Sequence, residues 1–157
     1  MRSFHSLRTL AKISLVGFLV AWCGVPPVRA DDIAEVRREF QAYIEYQRTD
    51  DERLLDQLAS DMAVTIILVH PKGDTETLQL TAAQFRKVIA DALSQKTGSK
   101  DAYEKIGYAP VANGVLVTCT VLQADMRKRV PFSVVYARDE AGRFKMKLVK
   151  MTIAGDK

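Results

Sequence analysis

Between Tyr103 and Ile153 the sequence falls into four strand-like runs, Tyr103 to Ala112, Val115 to Ala124, Val130 to Arg138 and Arg143 to Ile153. Asn113-Gly114 separates the first two, and a pair of residues that both accept positive φ between such runs predicts a tight hairpin. Asp125 to Arg129 and Asp139-Glu140-Ala141-Gly142 join the rest. Links this short connect only antiparallel neighbours, so the C-terminal half reads as three successive antiparallel connections in one sheet.

The last run changes phase. Phe144, Met146 and Leu148 alternate with Arg143, Lys145 and Lys147, after which Val149, Met151 and Ile153 take over the apolar positions. A slip of one residue turns side chains to the opposite face, so a bulge near Leu148 to Lys150, bending the sheet, is expected; burial on both faces is the other reading.

The preceding half is mostly helical. Ile33, Val36, Phe40, Tyr43 or Ile44, and Gln47 recur at three- and four-residue steps, which predicts an amphipathic helix over Asp32 to Arg48. Thr49 with Glu52 three residues on reads as a capping box opening a second helix whose apolar face, Leu54, Leu55, Leu58 and Ala59, lasts to Ser60. Ala63 to Val69 reads as a strand ending at Pro71-Lys72-Gly73-Asp74, with Thr75 to Leu80 pairing back. Thr81 and Gln84 repeat the capping signature before Phe85, Val88, Ile89, Ala92 and Leu93 mark a third helix.

The first thirty residues stand apart. Arg2, Arg8 and Lys12 precede an apolar run, Ile13 to Val25, and Val28-Arg29-Ala30 offers a cleavage site before Asp31, the pattern of a secretion signal. The run is shorter than the roughly 20 apolar residues of a membrane span, and Trp22 before Cys23 disfavours lipoprotein processing. The expectation is residues 1–30 as a cleaved signal peptide and 31–157 as one domain, periplasmic or secreted, with no stable membrane anchor after cleavage.

Loss of the leader's four bases, Arg2, Arg8, Lys12 and Arg29, takes the formal charge from +4 to zero, with 19 bases against 19 acids. That removes the electrostatic case for nucleic acid. Cys119 alone remains of the two cysteines, so no internal disulfide forms and no Cys/His set holds zinc; no cofactor motif is present. The charge is unevenly placed: Asp31 to Asp61 carries −6 and Arg127 to Lys157 carries +6. It reads either as solvated faces or as an acidic helical layer against a basic sheet.

Two helices, a strand, a third helix and a long curved sheet resemble the nuclear transport factor 2-like superfamily (SnoaL-like, cystatin-like cone). The segments carrying the resemblance are Leu54-Leu55-Asp56-Gln57-Leu58-Ala59-Ser60-Asp61-Met62-Ala63-Val64, Thr81 to Leu93, and Asp139-Glu140-Ala141-Gly142-Arg143-Phe144. It implies an α+β cone, three helices of the N-terminal half packed on a curved, mainly antiparallel sheet around a pocket. The superfamily's ketosteroid-isomerase-like pattern puts a proton-abstracting acid near Ile67 and an oxyanion-holding acid near Ser133, and both acids are missing here. Its helix tyrosine falls near Tyr43. Tyr43, Ile67 and Ser133 are then the expected ligand-binding positions.

The remaining polar candidates are few. His70, Tyr43 and Asp61 are the candidate catalytic groups, each with a plainer account as a strand-end, core or capping residue. Cys119 alternates with Val115, Val117 and Val121 and reads as a small buried hydrophobe. Ser133 and Tyr136, three apart on a strand, face opposite ways. Arg127-Lys128-Arg129 reads as a hairpin tip or a partner-binding patch. Together these favour a non-catalytic exported protein that binds a small apolar ligand or forms a homodimer through its sheet. The alternatives are a lyase- or isomerase-like enzyme, and an accessory protein binding an acidic partner through a basic sheet face.

Overall fold

The computed structural model describes residues 27–154; the leader's basic and apolar regions lie outside the described residues. Helix α1 spans Ala30–Thr49 and turns Val36, Phe40 and Tyr43 inward, three positions at the four- and three-residue steps of one helical face. The Asp32 carboxylate accepts from the Arg29 backbone N–H at 2.8 Å. At the far end Asp50 adopts the left-handed conformation, φ 52°, and closes the helix.

The second helix differs from expectation. Thr49 is still helical, its hydroxyl donating back to the Glu45 carbonyl at 2.9 Å, and Asp51 is the cap, accepting from the Arg53 N–H at 2.9 Å. A cap two residues later leaves room only for a six-residue 3-10 helix, Glu52–Gln57. Strand β1 therefore starts at Leu58 and runs to Val69. The turn after it leads to β2, Thr75–Thr81, and then α2, Ala82–Ser94. The expected Thr81–Gln84 capping box is present, with the Gln84 N–H donating to Thr81 Oγ1 at 3.3 Å and the Thr81 N–H to Gln84 Oε1 at 2.9 Å.

Strands β3 (Ala102–Val111), β4 (Gly114–Gln123), β5 (Lys128–Arg138) and β6 (Phe144–Ala154) complete one six-stranded sheet in the order β2-β1-β6-β5-β4-β3. All neighbours are antiparallel except β1 and β6, which run parallel. The β3–β4 hairpin turns at Ala112-Asn113, one residue earlier than expected, because Val111 pairs with Gly114. Gly114 serves by lacking a side chain: a Cβ there would lie 1.9 Å from the Tyr136 carbonyl oxygen of β5.

The phase change in β6 is a bulge, placed slightly earlier than the sequence suggests. Val135 pairs with Leu148 and Tyr136 with Met146, so Lys147 is the extra residue. The ammonium of Lys147 meets Asp61, and the shift turns Leu148 outward, 49% exposed, while Met146 and Val149 stay buried. A second irregularity lies in β3 between Glu104 and Gly107, where Lys105 has φ 54°.

The three helices cover one face, and the core between them and the sheet contains Val36, Phe40, Leu54, Val64, Phe85, Val117, Val134, Tyr136 and Met146. The acidic and basic ends of the chain meet: Arg138 bonds Asp32 at 2.8 Å and Glu35 at 2.9 Å, and Lys145 donates to the Asp56 carbonyl. The Arg138 guanidinium and its two carboxylates lie at the surface and are partly solvated, where an ion pair contributes about 0–1 kcal/mol, so these contacts orient the layers more than they hold them.

Candidate functional site

The interior of the cone is floored by aromatic rings. Phe40 and Tyr43 from α1 stack on Phe132 of β5 at centroid distances of 6.2 and 6.1 Å, and Tyr103 of β3 meets Phe40, Tyr43 and Phe132 edge-on at 5.8, 6.2 and 6.3 Å. Gln47, one helical turn beyond Tyr43, supplies the polar lip. Its Nε2 donates to the Tyr43 hydroxyl at 2.9 Å, and its Oε1 accepts from the Tyr103 hydroxyl.

Above this layer is a cavity of about 190 Å³ lined by Tyr43, Gln47, Tyr103, Phe132, Met151 and Ile153, among others. A wider cleft of about 510 Å³, with Asp50, Ile89, Leu93 and Ser99 in its walls, shares Gln47 and Asp101 with it. The connection from α2 to β3 forms one wall of the cleft and is tied down at three points. The Gly98 N–H donates to Asp50 Oδ2 at 2.7 Å, the Ser99 N–H to the Gln47 carbonyl at 2.8 Å, and the Ala124 N–H to Asp101 Oδ1 at 2.9 Å. Gly98 has φ 60°, and a Cβ would stand 2.5 Å from the Arg48 carbonyl oxygen, so the strap lies directly on the end of α1.

Burial sets the chemistry of this site. It pushes the Tyr43 hydroxyl up to about 12 and the Tyr103 hydroxyl well above its ordinary value, and the Asp101 carboxylate adds to both shifts. Both hydroxyls are neutral hydrogen-bonding groups near neutral pH. Burial likewise raises the Cys119 thiol to about 11, in keeping with its packing as a core residue. Among the described residues no group of three or more His, Cys, Asp or Glu side chains is placed to hold a metal ion, and no helix is long and apolar enough to cross a membrane.

The other sequence-derived positions lie elsewhere. Tyr43 is 4% exposed and lines the inner cavity, but Ile67 and Ser133 do not join it. The pairing puts Cys119, Phe132, Met151 and Ile66 in one row on the inner face, and Thr118, Ser133, Lys150 and Thr65 in the next row on the outer face, where Ile67 also lies. The inward residues are thus the immediate neighbours, Ile66 and Phe132.

Asp61 is exposed, paired with Lys147 beside a shallow groove, and its ion pair holds its carboxyl below the usual value. His70 is exposed at the end of β1, 3.7 Å from Glu76. Tyr43, Asp61 and His70 share no cavity among those described. Of the basic hairpin residues, Arg129 is bonded to Glu104 at 2.9 Å, while Arg127 and Lys128 are exposed at the turn.

Gln47, Asp101, Tyr103 and Phe132 were missed as site residues. Gln47 had a readable signal, since it is a polar residue continuing the buried face of α1. Tyr103 and Asp101 reach the site only because β3 folds beneath α1, which no local pattern states.

No protein-family model matches the sequence, and none of the curated proteins matches it. Solved structures do. A cystatin-like fold protein from Burkholderia xenovorans LB400 superposes with a TM-score of 0.60 at 11% identity, over 85% of this chain and all of the other. A nuclear transport factor 2-like protein of unknown function from Pseudomonas putida KT2440 gives 0.59 at 12% identity, over 82% and 90% of the two chains. A protein of the same fold family from Streptomyces avermitilis, described as a candidate dehydratase, gives 0.53 at 15% identity, over 78% and 95%. Identities this low speak to architecture alone. The chain has the nuclear transport factor 2-like cone fold, an α+β structure with helices on one face of an open six-stranded sheet.

Proposed function

We propose that this is an exported, non-catalytic protein that binds a small ligand at the mouth of the cone. The apolar body of the ligand rests on Phe132, Met151 and Ile153, and its polar end faces Gln47. The observation that carries the reading is the pair of adjoining cavities sharing Gln47 and Asp101 above a closed aromatic floor. The inner cavity supplies apolar walls from Phe132, Met151 and Ile153 and the cleft supplies polar ones from Asp50, Ser99 and Asp101, a concave site suited to an amphiphilic small molecule. Its hydroxyls are neutral and bonded to Gln47, Asp61 and His70 are elsewhere, and the one carboxylate shared by both cavities, Asp101, is engaged by the Ala124 N–H, so the arrangement favours binding over proton transfer. Thermal-shift and native mass-spectrometry screening of the mature chain with small apolar and amphiphilic compounds tests it. Ligands that stabilise the wild type but not Gln47→Leu support the site; stabilisation retained in that variant rejects it. Export rests on the leader sequence, and an intact mass beginning at Asp31 in the exported fraction is its test.

A second reading, a homodimer through the sheet, draws on the outer face. Ala109, Leu116, Val135, Leu148 and Ala63 pair in one apolar row across five strands. Light scattering distinguishes it: a dimer that Leu148→Lys converts to monomer supports this reading, and a wild-type monomer at high concentration removes it.

A further inference from the structure

The inner cavity of about 190 Å³ has a single charged side chain in its walls, Asp101. The rest of its lining is aromatic, aliphatic or neutral polar, with no lysine, arginine or histidine to offset that charge. The adjoining cleft adds Asp50 and Asp125 against one base, Lys100. Asp32, Asp51, Asp61, Asp91 and Asp139 each pair with a lysine or arginine. Among the described residues Asp50, Asp101 and Asp125 belong to no such pair.

Two of these carboxylates are half-buried and held in place. Asp101 accepts from the Ala124 N–H through Oδ1, and Asp50 from the Gly98 N–H through Oδ2. A backbone N–H brings no formal charge, so these bonds position the carboxylates without neutralising them, and each has a second oxygen to offer a donor. An acid drawn partly out of water favours a cation beside it. The rings of Tyr43, Tyr103 and Phe132 line the same cavity and act in the same direction, because aromatic faces attract cations. Met151 and Ile153 beside them suit an organic cation; among the described residues no set of three or more ligand side chains is assembled for a metal ion.

We propose that the ligand at the mouth of the cone is a small organic amine, its ammonium donating to Asp101 and its apolar body seated on Phe132, Met151 and Ile153. This ligand class rests on the mouth being a binding site and adds the charge of what binds there. A cavity of about 190 Å³ admits a body the size of one aromatic ring, since roughly 150 Å³ suffices for benzene. Asp50 and Asp125 in the cleft extend the negative field outward along the way in.

Benzylamine and benzyl alcohol, close in shape and different in charge, separate the charge from the site. Each is titrated into the purified protein while amide chemical shifts are followed. The expected result is saturable binding of both at Asp101 and Tyr103, the amine about tenfold tighter, the margin of a charge-assisted hydrogen bond over a neutral one. Added salt should weaken the amine and leave the alcohol unchanged. Asp101→Asn keeps an acceptor for the Ala124 N–H and removes the charge, so this variant should fold and bind the two compounds equally. Should it fail to fold, the amine-to-alcohol ratio and salt dependence of the wild type decide alone. Equal affinities in the wild type, or an amine preference that survives Asp101→Asn, would overturn the amine and leave the site standing. Binding of neither compound at the mouth also rejects the amine, and the site itself falls only if the wider apolar and amphiphilic screen fails as well.

Discussion

Replacing Gln47 with leucine should be far more damaging than its place on an exposed-looking helix end suggests. The side chain serves two hydroxyls at once, donating to Tyr43 at 2.9 Å and accepting from Tyr103. Leucine fills a similar volume and makes neither bond. A buried hydroxyl left without a partner costs about 1–3 kcal/mol, and two are affected; added apolar burial returns about 1 kcal/mol. The net loss is then about 3 kcal/mol, a large share of the roughly 5–15 kcal/mol that stabilises an ordinary domain. Urea unfolding followed by fluorescence and circular dichroism, with the slope checked for constancy, measures it. The control is the triple variant Gln47→Leu, Tyr43→Phe, Tyr103→Phe. Removing every partner of a polar cluster is nearly neutral where removing one is not, so the triple variant should recover to within about 1 kcal/mol of wild type. A Gln47→Leu loss below about 1 kcal/mol, or a triple variant weaker than the single one, would refute the reasoning.

Other outcomes follow from the same geometry. Gly98→Ala places a Cβ 2.5 Å from the Arg48 carbonyl at φ 60°, and should cost about 2–4 kcal/mol and detach the strap, seen as faster amide exchange at Ser99. Because burial raises Tyr43 to about 12, its neutral form is favoured in the fold; that stabilisation is intact below pH 10 and is lost as pH rises towards 12, so alkaline unfolding and tyrosinate absorbance at 295 nm should appear together. Asp32 is held below its usual value by the Arg29 backbone N–H, which the expected cleavage before Asp31 removes, and then by Arg138, which the mature chain keeps; the contribution is present above about pH 4 and falls away below it. Arg138→Met should flatten that acid limb of the stability profile, whereas an unchanged limb would show the pair to be idle.

How far the sequence could be read depended on how local each signal was. The Thr81–Gln84 box and the four C-terminal runs are local patterns and appear nearly as written. Thr49 failed as a cap because Asp51, two residues on, competes for the same role and its carboxylate wins. The β6 phase change was visible, but its bulge sits at Lys147 because pairing with β5 and the contact to Asp61 choose the residue, and both are long-range. Ile67 and Ser133 show the limit of matching by element order. An offset of one residue in each strand separates them from Ile66 and Phe132, and in a sheet one residue is the difference between pocket and outer surface. Gln47 was on the predicted inner face of α1, where a side-chain amide has to find buried hydrogen-bond partners, here Tyr43 and Tyr103.

The most direct test of the account is backbone-amide chemical-shift mapping of the mature chain against a library of small apolar and amphiphilic fragments. Saturable shifts concentrated at Gln47, Ser99, Asp101, Tyr103 and Met151 are the result expected of a ligand site at the mouth of the cone. Saturable shifts confined to the outer row around Leu148, or none for any fragment, would contradict it.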